Sequence, residues 1–311
     1  MGARSEGGGR RPARRDGDAR IRTGGGTRRH AGRRAGGAAA RARAGAAAGA
    51  ARPRCAGDPG VSAAPGSREV LVTGGGRGIG RAIALRFAES GARVFVNFFV
   101  NREAAEKTAR EIELRGGAAH LVQADLKEPA EIRRMLGEVE RVAGRLDVLV
   151  SNAASGVFRP GLELSAKQWD WVLATNARPL LLLGQEAAKL MTRGGRIVAL
   201  TSLGSSRVIP GYTAIGVSKA ALEALTRYLA VELGARGITV NAVSAGAVET
   251  EVWHLVPDGQ AALAAIRAKT PGGTLASPEA VADVVYFLAS PAAQAIQGQV
   301  LTVDGGYSLL A

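Results

Sequence analysis

From Glu69 to the end of the chain, short runs rich in β-branched residues alternate with segments long enough to form helices. Seven of these runs are predicted strands, at residues 69–73, 93–98, 119–123, 146–151, 196–202, 238–244 and 299–303. Helical segments such as 80–90, 103–115 and 131–143 lie between them. Strands that are apolar along their whole length are buried on both faces, and helical connections make consecutive strands parallel. The sequence therefore predicts one α/β domain, a doubly wound parallel sheet of about seven strands with helices on both faces.

The first predicted strand runs into a glycine-rich turn, TGGGRGIG, at residues 73–80. Its glycines fit the form T-G-x-x-x-G-x-G, with Gly74, Gly78 and Gly80 at the fixed places. Glycine lets the backbone approach a pyrophosphate closely, and the start of the following helix supplies amide donors. A tight turn between a strand and a helix also favours glycine. Because this turn follows a first strand and opens a first helix, it predicts a Rossmann-type dinucleotide site.

The end of the second predicted strand bears on which dinucleotide binds. An Asp or Glu at that place accepts hydrogen bonds from the ribose of NAD, but residues 97–102 read NFFVNR and contain no acid. An acid would also repel a 2′-phosphate, so its absence predicts NADPH (NADP+) as the cofactor. Arg77 and Arg102 are candidates to neutralise that phosphate, and the alternative for each is a solvated side chain.

The first 60 residues differ in composition from the rest of the chain. They hold 15 Arg, no Lys and four acidic residues, so most of the formal net charge of +14 lies there. Because almost no large apolar residue occurs among them, we expect residues 1–67 to be a disordered Arg/Gly/Ala-rich extension and residues 68–311 to form the folded domain. Two alternatives stay open for the extension. It is either a basic arm that contacts nucleic acid, or a segment absent from a native protein that begins near Val61.

Composition also limits the partners and the location of the protein. Beyond residue 60, 26 Lys and Arg face 23 acidic residues, so the sequence predicts no nucleic-acid partner for the folded part. No run of eighteen apolar residues occurs, which predicts no membrane span. Cys55 is the only cysteine, and the three His have no clustered carboxylates around them, so we expect neither a disulfide nor a metal site. The expected location is cytoplasmic.

Further motifs follow the glycine-rich turn in a fixed order: ADL at 124–126, SNAAS at 151–155, TNA at 175–177, Ser202, NAVSAG at 241–246 and VDGG at 303–306. This series resembles the short-chain dehydrogenase/reductase family over about residues 68–311. The resemblance implies that Asp125 lies near the adenine, that Asn176 holds a water molecule or the catalytic lysine, and that Thr250 lies near the nicotinamide amide. The cofactor-binding set that it implies is Gly74, Gly76, Arg77, Gly78, Ile79, Gly80, Asp125, Leu126, Asn152, Ala153, Ala154, Lys219, Val248 and Thr250.

Catalysis in that family depends on a tyrosine that gives or takes a proton, and on a nearby lysine that favours the phenolate and binds the nicotinamide ribose. In most members the tyrosine lies four residues before the lysine, but here Ile215 occupies that place before Lys219. Tyr212, one turn closer to the start of the helix, lies on nearly the same helical face as Lys219. The resemblance therefore implies Tyr212, Lys219, Ser202 and Asn176 as the catalytic set. For Ser202 the alternatives are that it affects the rate, orients substrate or only satisfies the end of a strand.

The Tyr-x6-Lys spacing resembles the type III enoyl-acyl-carrier-protein reductases, and so do NAASGVFRP and GVSKAALEALTRYLAVEL within residues 146–235. This implies NADPH-dependent reduction of the C=C bond of an enoyl thioester in fatty acid synthesis, on an acyl-carrier-protein or CoA substrate. A donor displaced by one turn, about 5 Å of rise, suits charge that develops on a thioester oxygen. The alternatives are a carbonyl or alcohol oxidoreductase acting on another substrate, and an NADP-binding module that uses the Arg-rich arm. The family also implies a homo-oligomer, a dimer or a tetramer.

Four places depart from the family pattern: Ser151 replaces an Asn, Ala154-Ser155 replaces Ala-Gly, Ala245 stands where Pro-Gly is usual, and Val100 stands where the type III pattern has an Arg. We expect Ala245 to loosen the turn beside the nicotinamide. Residues 248–273, after the sixth predicted strand, are predicted to form a mobile helical lid. Within the lid, Trp253, Leu255 and Val256 either face an acyl chain or pack as ordinary core.

Overall fold

The structure is a computed structural model that describes residues 68–250, 253 and 258–310. The predicted Arg-rich extension lies outside the described residues, as do His254, Leu255 and Val256 of the predicted lid. Within the described part of the chain, no helix is long and apolar enough to cross a membrane.

Within the described residues, seven parallel strands form one sheet in the order β3-β2-β1-β4-β5-β6-β7. The strands are β1 (Glu69–Val72), β2 (Arg93–Phe98), β3 (Ala118–Gln123), β4 (Val148–Ser151), β5 (Gly195–Ser202), β6 (Ile238–Ala245) and β7 (Val300–Val303). The strand order reverses at β1, which pairs with both β2 and β4. In open α/β sheets, such a reversal leaves a crevice beyond the carboxyl ends of the strands, where ligands bind.

Helices cover both faces of this sheet. They are α1 (Gly78–Ala88), α2 (Arg102–Leu114), α3 (Pro129–Ala143), α4 (Ala166–Asn176), α5 (Arg178–Leu190), α6 (Thr213–Gly234), α7 (Gly259–Lys269) and α8 (Pro278–Leu288). Side chains of α1, α2 and α8 form a core on one face, and those of α3, α5 and α6 form a core on the other. Successive side chains of β1 point to opposite faces of the sheet, so Val70 and Val72 pack into the first core and Leu71 packs into the second.

The predicted fold is confirmed: the observed architecture is a doubly wound α/β fold of Rossmann type. The predicted strands match in number and order, and their ends differ from the observed ones by at most two residues. We expected Ala245 to loosen the turn beside the nicotinamide. Instead Ala245 is the last residue of β6, which ends one residue later than the predicted strand 238–244. It stays in register with Ser202 of β5 and Val303 of β7.

The packing of α1 against β1 depends on Gly80. A Cβ at Gly80 would lie 2.2 Å from the carbonyl oxygen of Gly74 and 2.5 Å from Nδ2 of Asn152. We therefore expect Gly80→Ala to destabilise the fold by about 1–3 kcal/mol, because backbone must move to admit the methyl group. Urea denaturation of the purified protein measures this change.

Gly137→Ala is the matched control for this experiment. Gly137 lies inside α3, and a Cβ there would meet nothing within 4 Å. Ala is the better helix former, so this change should stabilise the protein by about 0.5–1 kcal/mol. Equal effects of the two substitutions would contradict the close approach at Gly80.

Candidate active site

The glycine-rich turn joins β1 to α1 at the carboxyl edge of the sheet. Gly74 and Gly78 have positive φ angles of 63° and 53°, which explains the preference for glycine at both positions. Arg77 is the N-cap residue of α1, but its side chain makes no capping hydrogen bond, and the first turn of the helix contains no acid. The first amides of a helix have no partner within the helix. The amides of Gly78, Ile79 and their neighbours are therefore suited to an anion.

Asn97, the fifth residue of β2, holds this turn in place. Its buried side chain accepts a hydrogen bond from the amide of Gly74 (3.3 Å), and its carbonyl accepts one from the amide of Gly75 (3.0 Å). Its Nδ2 also donates to the carbonyls of Val122 and Ala124, both at 3.3 Å. One side chain thus ties the glycine-rich turn to the ends of β2 and β3.

Thr73 ties the same turn to β4. Its Oγ1 accepts hydrogen bonds from the amides of Asn152 (2.9 Å) and Ala153 (3.1 Å), and it donates to the carbonyl of Val150 (3.2 Å). Nδ2 of Asn152 returns a bond of 2.8 Å to the carbonyl of Thr73. The turn and the segment after β4 therefore lie side by side, with Ala154 exposed next to them.

The other predicted cofactor residues are spread along the same edge. Asp125 follows β3, where its carboxylate accepts from the amide of Lys127 (3.0 Å). Thr250 lies beside Gly78, since a Cβ at Gly78 would be 3.6 Å from the Thr250 methyl group. The side chains of Leu126 and Val248 instead pack into the two cores, so only their backbones can face a ligand at this edge. Gly76 packs against α2 and accepts a hydrogen bond from Oγ1 of Thr108.

Tyr212 and Ser202 come together at the carboxyl end of β5. Ser202 is the last residue of β5, and Tyr212 is the N-cap residue of α6, just before the helix begins. The hydroxyl oxygens of the two side chains are 3.3 Å apart. Burial raises the pKa of the Tyr212 phenol, and the hydrogen bond to Ser202 opposes that rise. At neutral pH the phenol therefore carries its proton.

The Tyr212 ring is packed between loops. It lies against Gly204, where a Cβ would come within 2.5 Å of the ring, and its centroid is 5.6 Å from that of Phe158. The amide of Arg159 donates to the carbonyl of Gly211 at 2.6 Å, which joins the two loops. These contacts fix the ring while its hydroxyl faces Ser202.

Lys219 lies two turns into the helix and is only 6% exposed. Its Nζ donates a hydrogen bond of 2.7 Å to the carbonyl of Leu200, which lies two residues before Ser202. Burial lowers the pKa of Lys219 to about 8, against the opposing charge of Glu223. Lys219 is thus a buried ammonium whose charge changes close to neutral pH.

Asn176 closes the site from the side of α4. Its Nδ2 donates to Oγ of Ser218 (3.0 Å), and its Oδ1 accepts from the amide of Ser155 (2.9 Å). Ser218 precedes Lys219 in α6 and is completely buried. Asn176 therefore connects the loop after β4 to the helix that carries Lys219.

Ile215 occupies the place four residues before Lys219. It is buried in a small apolar cluster with Val172 and Ala214, and a Cβ on Gly156 would come within 2.3 Å of its side chain. This place is filled by an apolar side chain that packs between α4 and α6. Of the two positions, Tyr212 alone brings a hydroxyl to Ser202.

Comparisons with known proteins identify the family of this chain. A family model described as enoyl-(acyl carrier protein) reductase matches residues 74–308. A 1-cyclohexenylcarbonyl-CoA reductase from Streptomyces collinus is 42% identical over 247 residues, which cover 78% of this chain and 87% of that protein. The chain belongs to the short-chain dehydrogenase/reductase family. It is accordingly an oxidoreductase, as the sequence predicted.

Two further relatives widen the range of activities within this family. A hydroxynaphthalene reductase-like protein from Metarhizium robertsii is 37% identical over 248 residues, covering 76% of this chain and 93% of that protein. A solved short-chain dehydrogenase from Burkholderia cenocepacia, in complex with NADP, is 37% identical with a TM-score of 0.71. It covers 78% of this chain and 98% of its own. The predicted family resemblance is confirmed by these matches.

Five further groups take part in the contacts of this site although the family motifs did not point to them. They are Asn97, Thr201, Phe158, Ser218 and Glu223. Asn97 gave a signal, because an Asn inside an otherwise apolar strand needs buried hydrogen-bond partners. The others act through contacts between elements distant in sequence, which no local pattern reports.

The predicted lid is partly described. Residues 259–269 form α7, and Trp253 is half-buried. Its indole Nε1 donates to the carbonyl of Val248 at 2.9 Å, which ties it to the segment after β6. The mobility of the lid stays a prediction.

The buried ammonium of Lys219 should reduce the stability of this short-chain dehydrogenase/reductase at neutral pH. Its pKa falls from 10.5 to about 8 in the fold, so below pH 8 both the folded and the unfolded states hold the proton and the full cost is present. Between pH 8 and 10.5 the unfolded state binds more protons, and stability rises with pH as the cost is relieved. Lys219→Met should therefore stabilise the fold at pH 7, by on the order of 3 kcal/mol.

Urea denaturation at pH 7 and above pH 10 measures this effect, and the difference between wild type and Lys219→Met should shrink at the higher pH. Lys189→Met is the control, because the Lys189 side chain is 66% exposed. A stability difference that does not depend on pH would contradict the buried charge.

Proposed function

We propose that the protein uses NADPH to reduce the C=C bond of an enoyl thioester. One observation carries the proposal: the hydroxyl that meets Ser202 belongs to Tyr212, while the place four residues before Lys219 is filled by buried Ile215. A proton donor at the start of α6 is displaced by about one turn from the common family place. That displacement suits an oxygen further from the nicotinamide, as in a conjugated thioester.

The residues at the carboxyl edge fit NADPH. The uncapped start of α1 and the glycine-rich turn would hold the pyrophosphate. Asp125 would lie near the adenine, the segment 152–154 along the cofactor, and Thr250 near the nicotinamide. Residues 99–102, directly after β2, contain no acid, and exposed Arg77 stands at the turn to meet a 2′-phosphate. When bound, NADPH supplies the hydride that adds to the β-carbon of the substrate.

Tyr212 is proposed to stabilise the charge that develops on the thioester oxygen. Because burial raises its pKa, the phenol is protonated at neutral pH and can give its proton to that oxygen. The resulting enol would take up a proton at the α-carbon from water and release the proton on oxygen, which gives the saturated thioester. Ser202, 3.3 Å away, would orient the phenol or the substrate. The Lys219 ammonium favours negative charge nearby and would hold the nicotinamide ribose, and Asn176 keeps the adjoining loop in place.

The relatives support this substrate class. The name of the Streptomyces collinus protein specifies a CoA thioester conjugated to a ring double bond, and the matching family model is described by an acyl-carrier-protein substrate. For this chain we propose a CoA or acyl-carrier-protein thioester. A role in fatty acid synthesis, a cytoplasmic location and a dimeric or tetrameric assembly remain predictions.

A second candidate is the reduction of a ketone. The hydroxynaphthalene reductase-like relative favours it, and so does the Ser202–Tyr212 contact, because two hydroxyls can bind one carbonyl oxygen. NADPH oxidation assayed with crotonyl-CoA and with a bicyclic aryl ketone separates the two candidates. Turnover of the ketone alone would overturn the enoyl assignment.

Tyr212→Phe tests the proton donor. Removing the hydroxyl should lower kcat/KM for crotonyl-CoA by about 10²-fold or more, since general acid catalysis contributes about that much. Tyr228→Phe is the matched control, because Tyr228 lies on the same helix and is 70% exposed. An undiminished rate in Tyr212→Phe would rule out the proposed role of Tyr212.

Arg77→Ala tests the coenzyme preference. A charge-assisted bond to the 2′-phosphate should be lost, so the Kd for NADPH should rise about tenfold while that for NADH stays the same. Arg102→Ala should raise the Kd for NADPH less. The Arg102 guanidinium already lies over the Phe98 ring, and its Nη1 is 3.7 Å from Oε1 of Glu106. Binding can be followed by coenzyme fluorescence, and an equal loss for both coenzymes would argue against phosphate recognition by Arg77.

A further inference from the structure

Three consecutive residues at the end of β5 contact α6 through polar groups. The carbonyl of Leu200 accepts from Lys219, and the hydroxyl of Ser202 meets Tyr212. Between them, Oγ1 of Thr201 donates to Oε1 of Glu223 at 2.7 Å. The Thr201–Glu223 pair has no part in the function proposed above, yet it adjoins both groups that do.

Glu223 lies near enough to Lys219 for its charge to oppose the lowering of the Lys219 pKa by burial. The two residues are four apart on α6, so they share one face of the helix. Neighbouring residues of β5 hold their side chains, at the Leu200 carbonyl and the Thr201 hydroxyl. Thr201 is only 4% exposed, so this carboxylate is fixed at the edge of a buried region. There, a charge acts more strongly than it would in water.

The elements that pack against this part of α6 carry few other charged side chains. β6 carries no titratable side chain, and β5 has only Arg196, near the end remote from Ser202. The charged residues of α4 and α5 are Lys167, Asp170, Arg178, Glu186 and Lys189. Among the described residues, Glu223 is the charged group that opposes the effect of burial on Lys219. Tyr212, at the start of α6, is neutral near pH 7.

We propose that Glu223, held by Thr201, is a positioning residue that keeps the Lys219 side chain protonated at the pH at which the enzyme works. This inference rests on the proposed function, because Lys219 matters only if it holds the coenzyme or favours the phenolate. Burial alone would favour neutral Lys219. A fixed carboxylate on the same helical face counters burial, and the Thr201 hydroxyl prevents that carboxylate from turning into solvent.

Glu223→Gln provides the main test. The amide can still accept from Thr201 but carries no charge, so Lys219 should lose its proton at a lower pH than in wild type. The alkaline limb of kcat/KM with crotonyl-CoA should then move to lower pH. At pH 8 the variant should lose about three- to fivefold in rate, and at pH 6 less than twofold. Tyr212 titrates above its ordinary pKa, so it does not produce a limb near pH 8.

Two variants of Thr201 test the other partner. Thr201→Val removes the hydroxyl at nearly constant volume and should move the alkaline limb in the same direction by a smaller amount. Thr201→Ser keeps the hydroxyl and should restore the wild-type limb. Glu232→Gln is the matched control, because Glu232 is an exposed residue of the same helix. Its pH profile should equal that of wild type.

The Kd for NADPH, measured from pH 6 to about 9.5 without acyl substrate, gives a second readout. A shifted limb in this binding profile, with no turnover of enoyl thioesters by wild type, would support the role of Glu223 and overturn the proposed reaction. Enoyl turnover with an unmoved limb in Glu223→Gln would overturn the role of Glu223 alone. If Glu223→Gln does not fold, Thr201→Val provides the test. An alkaline limb of kcat/KM at lower pH than in wild type would support the role of Glu223, and an unchanged alkaline limb would overturn it.

Discussion

The contact between the end of β5 and the start of α6 determines which side chains of α6 face the carboxyl edge of the sheet. Leu200, Thr201 and Ser202 each make one polar contact with the helix, and together these contacts fix its rotation and height against the sheet. A helix anchored at three levels cannot slide by one residue without breaking all of them. The residue that presents a hydroxyl to Ser202 is therefore set by this register, and it is Tyr212.

The same register places Ile215, at the position where most family members have the tyrosine, in the packed interface between α6 and α4. Its side chain fills the space between α6 and α4, against Val172 and the backbone of Gly156. A phenol there would need both the volume that Gly156 leaves for Ile215 and a polar partner in an apolar cluster. The packing of Ile215 against α4 and the contact of Tyr212 with Ser202 thus follow from the same register of α6.

Sequence patterns predicted the strands, their parallel arrangement and the glycine-rich turn, because each leaves a local signal. The strands appear as apolar runs, the parallel arrangement follows from the helical segments between them, and the turn appears as glycines at fixed spacing. The Tyr212–Lys219 pair was predicted through its spacing once the fold was known. The partners of those residues were not. Lys219 bonds to a backbone carbonyl, which every residue has, and Glu223 meets Thr201 across 22 positions of sequence. Such contacts depend on tertiary packing, which periodicity does not report.

The departures from the family motif after β4 fall where side-chain identity matters little. Asn152 is joined to Thr73 and thereby to the glycine-rich turn, while Ser155 is joined to Asn176 and thereby to the helix that carries Lys219. Ser155 makes its bond through the backbone amide, and its side chain is exposed, so serine replaces glycine without loss of that contact. The segment links the two halves of the site mainly through its backbone, which explains why a changed sequence preserves the geometry.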